Sequence, residues 1–155
     1  MKNNFLFPNK VKHLGAIVFA TMVILGICTL IFRWEPATFN LQTFAILSNN
    51  LGSENHFSIV ENNLWNEFLA SGVIIGAFLY GFSKEKVEDE LIAAIRIRSL
   101  VWATYINYGI LLLAILFVYE FSFFNVLVFN MFTLLIFFIL RFNWELFRLK
   151  GNLDE

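Results

Sequence analysis

Long apolar runs, separated by charged or polar segments, dominate the pattern of this chain. Four of them contain no charged residue: Gly15 to Phe32, Phe68 to Phe82, Ser99 to Tyr119 and Phe121 to Leu140. About 20 apolar residues are needed for a helix to cross the roughly 30 Å hydrocarbon core of a bilayer. Three runs approach or exceed that length, and the second does so if it begins near Leu64, with Glu67 at the interface.

We therefore predict an all-α, polytopic integral membrane protein with four transmembrane helices. The predicted spans cover about residues 14–32, 64–82, 99–119 and 121–140. Of the 155 residues, 59% are hydrophobic, so the chain is read as a single membrane domain with no separate soluble catalytic domain. The lipid bilayer is its expected environment, and a net charge of -1 predicts no general affinity for nucleic acid.

Lysine and arginine are distributed unevenly among the connecting segments. Only Arg33 falls between the first and second runs, and the other ten basic residues lie in the remaining segments. Basic residues resist translocation, so both termini and residues 83–98 are predicted to be cytoplasmic and residues 33–63 periplasmic. Tryptophans near the run ends agree with this N-in, C-in arrangement: Trp34 and Trp65 outside, Trp102 and Trp144 inside.

The outer loop, residues 33–63, is longer than a simple turn requires. It mixes apolar residues with Asn-rich breaks, which leaves two interpretations open. One is a lid or ligand-binding surface, and the other is a partly structured cap over the helices and the membrane interface. His56 lies here near Glu54 and Glu61, but one histidine with these neighbours matches no metal-site spacing, and we predict no metal site.

Residues 83–98 carry the most regular pattern outside the apolar runs. Ser83 is a potential helix N-cap, acidic residues follow it, and basic residues come late, which suits the helix dipole. We predict one helix from about Lys84 through the third span to Tyr119, with Lys84–Glu88 and Lys86–Glu90 pairs at i,i+4 spacing. An apolar stripe beside its charged face predicts a partner surface. The partner-binding residues of this hypothesis are Val87, Glu88, Asp89, Glu90, Leu91 and Ile95.

The predicted spans contain amides and glycines that favour helix packing. Asn107 and Asn130 lie at similar depth in antiparallel neighbouring spans, so their side chains are expected to form a hydrogen bond that clamps the pair. A substrate pore is the alternative use of these amides. Gly72 and Gly76 form a GxxxG groove for another helix, either within the chain, with Ala16 and Ala20 as possible contacts, or in a homo-oligomer.

No motif of an enzyme active site occurs in the sequence, and we predict no catalytic residues, no cofactor and no enzymatic activity. The favoured function is an interaction or signalling and regulatory partner that acts on the cytoplasmic side through the charged helix. The alternative is a small transporter or channel subunit. It would have to be oligomeric, because four short spans barely enclose a path for a solute. The sequence identifies neither a ligand nor the partner.

Several segments resemble a group of small uncharacterised four-helix membrane proteins of Gram-negative bacteria. The matching stretches, which cover roughly the C-terminal half, are Phe82–Glu90, Trp102–Tyr108, Phe124–Val126, Phe129–Thr133 and Arg141–Asn143. The resemblance implies an inner-membrane location. It also implies a regulatory pairing, since such genes lie near small helix-turn-helix regulators, and it supplies no activity and no site residues.

Overall fold

The computed structural model describes residues 5–50 and 53–151, without the side chains of residues 47–50, 53–56, 150 and 151. Four helices and one β-hairpin make up this part of the chain, so the all-α prediction is wrong for the outer loop. In chain order the elements are α1 (Asn9–Phe32), a 3₁₀ turn (Ala37–Phe39), β1 (Asn40–Asn50), β2 (Ser53–Asn63), α2 (Trp65–Gly81), α3 (Glu90–Phe117) and α4 (Glu120–Gly151).

Three helices are long and apolar enough to cross a membrane. These candidate spans are Asn9–Phe32, Glu90–Phe117 and Glu120–Leu149, among the residues that the structure describes. The fourth helix, α2, has 17 residues and a similar apolar character. The N-terminal end of α3 and the C-terminal end of α4 extend beyond the apolar runs. Both extensions contain charged residues.

The described residues form two compact units. The first comprises residues 5–20 and 73–151, and the second comprises residues 21–50 and 53–72.

The core of the first unit is built on one face of α4. Its buried apolar residues recur at helical spacing, and small side chains from α2 and α3 complete the cluster. Phe138 and Phe142 are fully buried and stack with ring centroids 5.9 Å apart. The buried cluster consists of Ala77, Ala103, Leu135, Phe138, Ile139, Phe142 and Leu146.

Gly72 and Gly76 of α2 lie against α1, as a within-chain role of the GxxxG motif predicts. In the first unit, a Cβ atom at Gly76 would come within 2.6 Å of the backbone nitrogen of Phe19. In the second unit, a Cβ atom at Gly72 would lie 2.7 Å from Cγ of Met22. The neighbours of the two glycines on α1 are thus Phe19 and Met22 rather than the expected Ala16 and Ala20.

The second unit contains an antiparallel hairpin formed by β1 and β2. Its register pairs Asn40 with Asn63 and Phe44 with Ile59. At its base Trp65 is buried, donates from Nε1 to Thr29 Oγ1 at 2.9 Å, and packs edge-on to Phe39 with the ring centroids 4.9 Å apart. Trp65 is therefore a packing residue of the second unit, and its position at the membrane interface stays a prediction.

We predict that Gly76→Ala lowers the thermal stability of the protein in detergent. The new methyl group meets the backbone of Phe19, which cannot rotate away, and overpacking of this kind costs about 1–3 kcal/mol. Gly109→Ala is the matched control, because within the described part of the chain no atom beyond its own stretch of helix lies within 4 Å of its ideal Cβ position. Equal melting temperatures for the two variants would contradict the close contact at Gly76.

Candidate functional site

The connection between α2 and α3 runs beside the N-terminal segment in an extended conformation. Phe7 and Ser83 form a parallel β-bridge. The N–H of Phe7 donates to the carbonyl of Phe82 at 3.0 Å, and the N–H of Lys84 donates to the carbonyl of Phe7 at 2.9 Å. Two side chains of α1 also contact this connection. Nδ2 of Asn9 donates to the carbonyl of Lys84, and the ammonium group of Lys12 pairs with the carboxylate of Glu85.

A buried arginine organises the rest of this connection. Arg96 is only 6% exposed and holds both carboxylate oxygens of Glu88, at 2.5 and 3.2 Å. Its Nη2 also donates to the carbonyl of Ser83 at 3.1 Å, and its guanidinium group lies 4.9 Å from the centre of the Phe142 ring. The bidentate geometry and the aromatic face offset the cost of burying the charge. Sequence analysis did not single out Arg96, because nothing in its spacing distinguishes it from Arg98.

Glu88 is held as a carboxylate in this arrangement. Burial raises the pKa of Glu88, but the hydrogen bonds from Arg96 and from the backbone N–H of Glu85 lower it, as do the positive charges of Arg96 and Lys84. The lowering effects prevail, and the pKa of Glu88 lies below its ordinary value. The carboxylate therefore stays charged, and paired with Arg96, throughout the neutral range.

The predicted helix start at Lys84 is wrong. Helix α3 begins at Glu90, and Asp89 caps it by accepting a hydrogen bond from the N–H of Ile92 at 2.8 Å. Ser83 is fully buried instead, with its hydroxyl group donating to the carbonyl of Leu79.

The ion pair explains this difference. On a continuous helix, residues 88 and 96 would be separated by about 12 Å of rise, beyond the reach of a direct contact. The chain must leave the helical path between residues 83 and 89 for Glu88 to reach Arg96. The predicted i,i+4 pairing of Glu88 with Lys84 is consequently replaced by its bidentate contact with Arg96.

The six predicted partner-binding residues separate into two groups. Val87 is 73% exposed and Leu91 is 52% exposed, with Asp89 and Glu90 also exposed beside them. Glu88 and Ile95 do not belong to this surface. Glu88 is paired with Arg96, and Ile95 packs against the buried core, so both are less exposed than the other four. Their contact with a partner stays a prediction. We refer to Val87, Asp89, Glu90 and Leu91 as the junction surface.

Asn107 and Asn130 lie together between α3 and α4. Nδ2 of Asn107 is 3.3 Å from Oδ1 of Asn130, and Nδ2 of Asn130 is 3.2 Å from Oδ1 of Asn107. The hydrogen bond expected from their similar depth is present. Asn107 is buried, at 3% exposure, so this contact satisfies an amide that would otherwise be unpaired in apolar surroundings.

Within residues 5–50 and 53–151, no group of three or more His, Cys, Asp or Glu side chains has the geometry to hold a metal ion. The side chains of Glu54 and His56, considered as metal ligands above, lie outside the described part of the structure. Comparisons with protein-family models, with curated proteins and with solved structures found no match to this chain. The candidate site is therefore described by its own geometry alone.

We predict that Glu88→Gln destabilises the protein at neutral pH by about 1–3 kcal/mol, because the buried guanidinium group of Arg96 loses its charged partner. The contribution of Glu88 is complete above pH 4.5, its ordinary pKa. It is lost as the pH falls from there through the lowered pKa of the folded state, since the unfolded chain takes up the proton first.

The difference in melting temperature between wild type and Glu88→Gln should therefore shrink on acidification from about pH 6 to about pH 3. Glu90→Gln serves as the control, because it removes one exposed carboxylate from the same segment. A difference that stays constant with pH would contradict the ion pair.

For the amide pair, we predict that replacing both Asn107 and Asn130 with Leu is tolerated better than the sum of the single replacements. A single replacement leaves one amide without its partner, whereas the double replacement removes both. A pair of this kind contributes about 0.6–2 kcal/mol. The melting temperatures in detergent of the wild type, the two single variants and the double variant form a double-mutant cycle and give the measurement. A double variant that loses more than the sum of the singles would rule out the pairwise clamp.

Proposed function

We propose that this protein is a four-span protein of the bacterial inner membrane that binds a protein partner on the cytoplasmic side. In this proposal it acts as a non-enzymatic signalling or regulatory component. The observation that carries the proposal is the junction surface, where exposed apolar side chains lie beside exposed carboxylates on a segment fixed by a buried ion pair.

The hydrogen bonds at the ends of α2 support a fourth span. The N–H of Phe68 donates to the carbonyl of Leu64 at 2.9 Å, and the N–H of Phe82 donates to the carbonyl of Phe78 at 3.0 Å. Helical hydrogen bonding thus involves residues from Leu64 to Phe82. Nineteen residues give a rise of about 28 Å, close to the roughly 30 Å of the hydrocarbon core.

The distribution of basic residues supports cytoplasmic termini and a cytoplasmic junction. A second line of support comes from cations that lie over tryptophan rings. The guanidinium group of Arg141 is 4.6 Å from the centre of the Trp102 ring, and that of Arg148 is 5.0 Å from Trp144. Such pairs suit a headgroup region, where an aromatic ring is partly buried and a cation remains near water.

The junction surface is suited to recognition because little of it has to be ordered on binding. The β-bridge at Ser83, the Glu88–Arg96 pair and the Asp89 cap fix the backbone on either side of Val87. A preorganised surface loses less conformational entropy when a partner binds. The fitting partner is a protein with an apolar contact for Val87 and Leu91 and with basic groups facing Asp89 and Glu90.

We predict that the double variant Val87→Ser, Leu91→Ser lowers recovery of the partner at least about tenfold after mild crosslinking in native membranes, because it removes apolar contacts worth about 1.4 kcal/mol or more. Quantitative mass spectrometry of the purified complexes gives the measurement. Phe147→Ser is the matched control, because Phe147 is 76% exposed on α4 and lies on the proposed cytoplasmic side.

Equal losses in the two variants would contradict a specific role for the junction surface. A wild type that recovers no partner, while proteoliposomes containing it pass a solute, would favour the transporter or channel alternative.

Topology is checked in the same cells with Lys86→Cys in a Cys28→Ser background. An impermeant reagent added outside should leave this cysteine unlabelled.

A further inference from the structure

Among the described residues, no further strand pairs with either edge of the β-hairpin of the second unit. The sheet in the described residues contains only β1 and β2, in antiparallel pairing. Each strand has 11 residues, which is long for an isolated pair. Two strands alone are marginally stable in water, and an unpaired edge is a template for another strand.

The two edges differ in the features that prevent further pairing. β2 contains Glu54 and Glu61, and its backbone is distorted at Phe57, where φ is 55°. β1 contains no charged residue and no proline along its whole length. Charges and backbone irregularities are the means by which natural sheets protect their edges. By this criterion the edge of β2 is protected from pairing with a further strand, and the edge of β1 is open to it.

The hairpin also exposes a continuous apolar face. Phe44 and Ile46 on β1 and Phe57 and Ile59 on β2 are each at least 61% exposed. Phe44 and Ile59 are directly opposite in the register, and the rings of Phe44 and Phe57 lie 6.3 Å apart between centroids. A strand added beside β1 would extend this face within the plane of the sheet.

We propose that the outer edge of β1 pairs antiparallel with β1 of a second copy of this chain, giving a four-stranded sheet with the two β1 strands at its centre. Pairing the same edge of two identical strands produces the antiparallel, two-fold arrangement that homodimers favour. Self-pairing of β1 brings no like charges together, whereas self-pairing of β2 would bring acidic residues of both copies into one sheet. The uncharged edge therefore fits a second copy.

Disulfide scanning tests the pairing directly. In a Cys28→Ser background, single cysteines replace Gln42, Thr43, Phe44 and Ala45 in turn, and membranes are oxidised mildly. The matched controls are the residues directly opposite on β2, namely Glu61, Val60, Ile59 and Ser58. Disulfides need Cβ atoms within about 4.5 Å, so the β1 series should give about fivefold more covalent dimer than the β2 series, with a maximum at one position.

A lysine on the edge provides the second test. Phe44→Lys places a charge at the centre of the open edge and should weaken dimerisation in detergent about tenfold or more, a change of about 1.4 kcal/mol. Ile59→Lys is the matched control, since both side chains are exposed and face each other in the hairpin. The control should keep the wild-type dimer, and both variants should keep the wild-type helix content.

Three results would overturn the proposal. The first is a wild type that is monomeric in both native membranes and detergent. The second is equal crosslinking of the β1 and β2 cysteines, which would place the contact elsewhere. The third is a β1 cysteine that crosslinks to a different protein in place of a second copy, which would assign the open edge to another strand donor.

Discussion

The burial of one guanidinium group determines the path of the chain between α2 and α3. Arg96 is almost inaccessible, and an unpaired charge in that position would be strongly destabilising. Its partners come from three places: the carboxylate of Glu88, the carbonyl of Ser83 and the ring of Phe142. The segment between α2 and α3 stays extended so that the Glu88 carboxylate and the Ser83 carbonyl both reach Arg96. Helix α3 therefore begins after this segment, at Glu90. The exposure of Val87 follows from this path, since its neighbour Glu88 turns inward.

Phe142 links this polar cluster to the apolar core. One face of the ring receives the cation, and the residue also belongs to the buried stripe of α4, with Phe138 one turn away. Small residues on the neighbouring helices make room for this stripe. A Cβ atom at Gly81 would approach Phe138 to 2.7 Å, and Ala77 and Ala103 are fully buried. Close packing at α4 and the geometry of the connection are therefore parts of one arrangement.

Features set by local composition or by short connections were predictable from the sequence. The apolar runs predicted four spans, and three of the described helices are long and apolar enough to cross a membrane. The short turn before Glu120 predicted that Asn107 and Asn130 would meet, and they do. The start of α3 was not predictable, because capping patterns favour both Ser83 and Asp89. The choice between them depends on a contact eight residues further on, between Glu88 and Arg96, which no local pattern contains.

The hairpin was missed for a different reason. Gln42, Phe44 and Ile46 alternate with the smaller residues Thr43 and Ala45, and the sequence Asn49-Asn50-Leu51-Gly52 is rich in turn-forming residues. Both features are signals of a β-hairpin. In a chain so rich in apolar residues, that alternation was read as a mixed loop. Its strands also expose their larger apolar side chains, which reverses the usual relation between hydrophobicity and burial.

Only Val118 and Tyr119 separate α3 from α4, and this brief link has a kinetic consequence. The entropy lost in closing a loop grows with its length, so these two helices can meet at less entropic cost than any pair joined by a longer segment. Their contacts are also close in sequence, a property associated with rapid folding. The α3–α4 pair is thus positioned to assemble early during biosynthesis and to serve as the template on which the rest of the first unit docks.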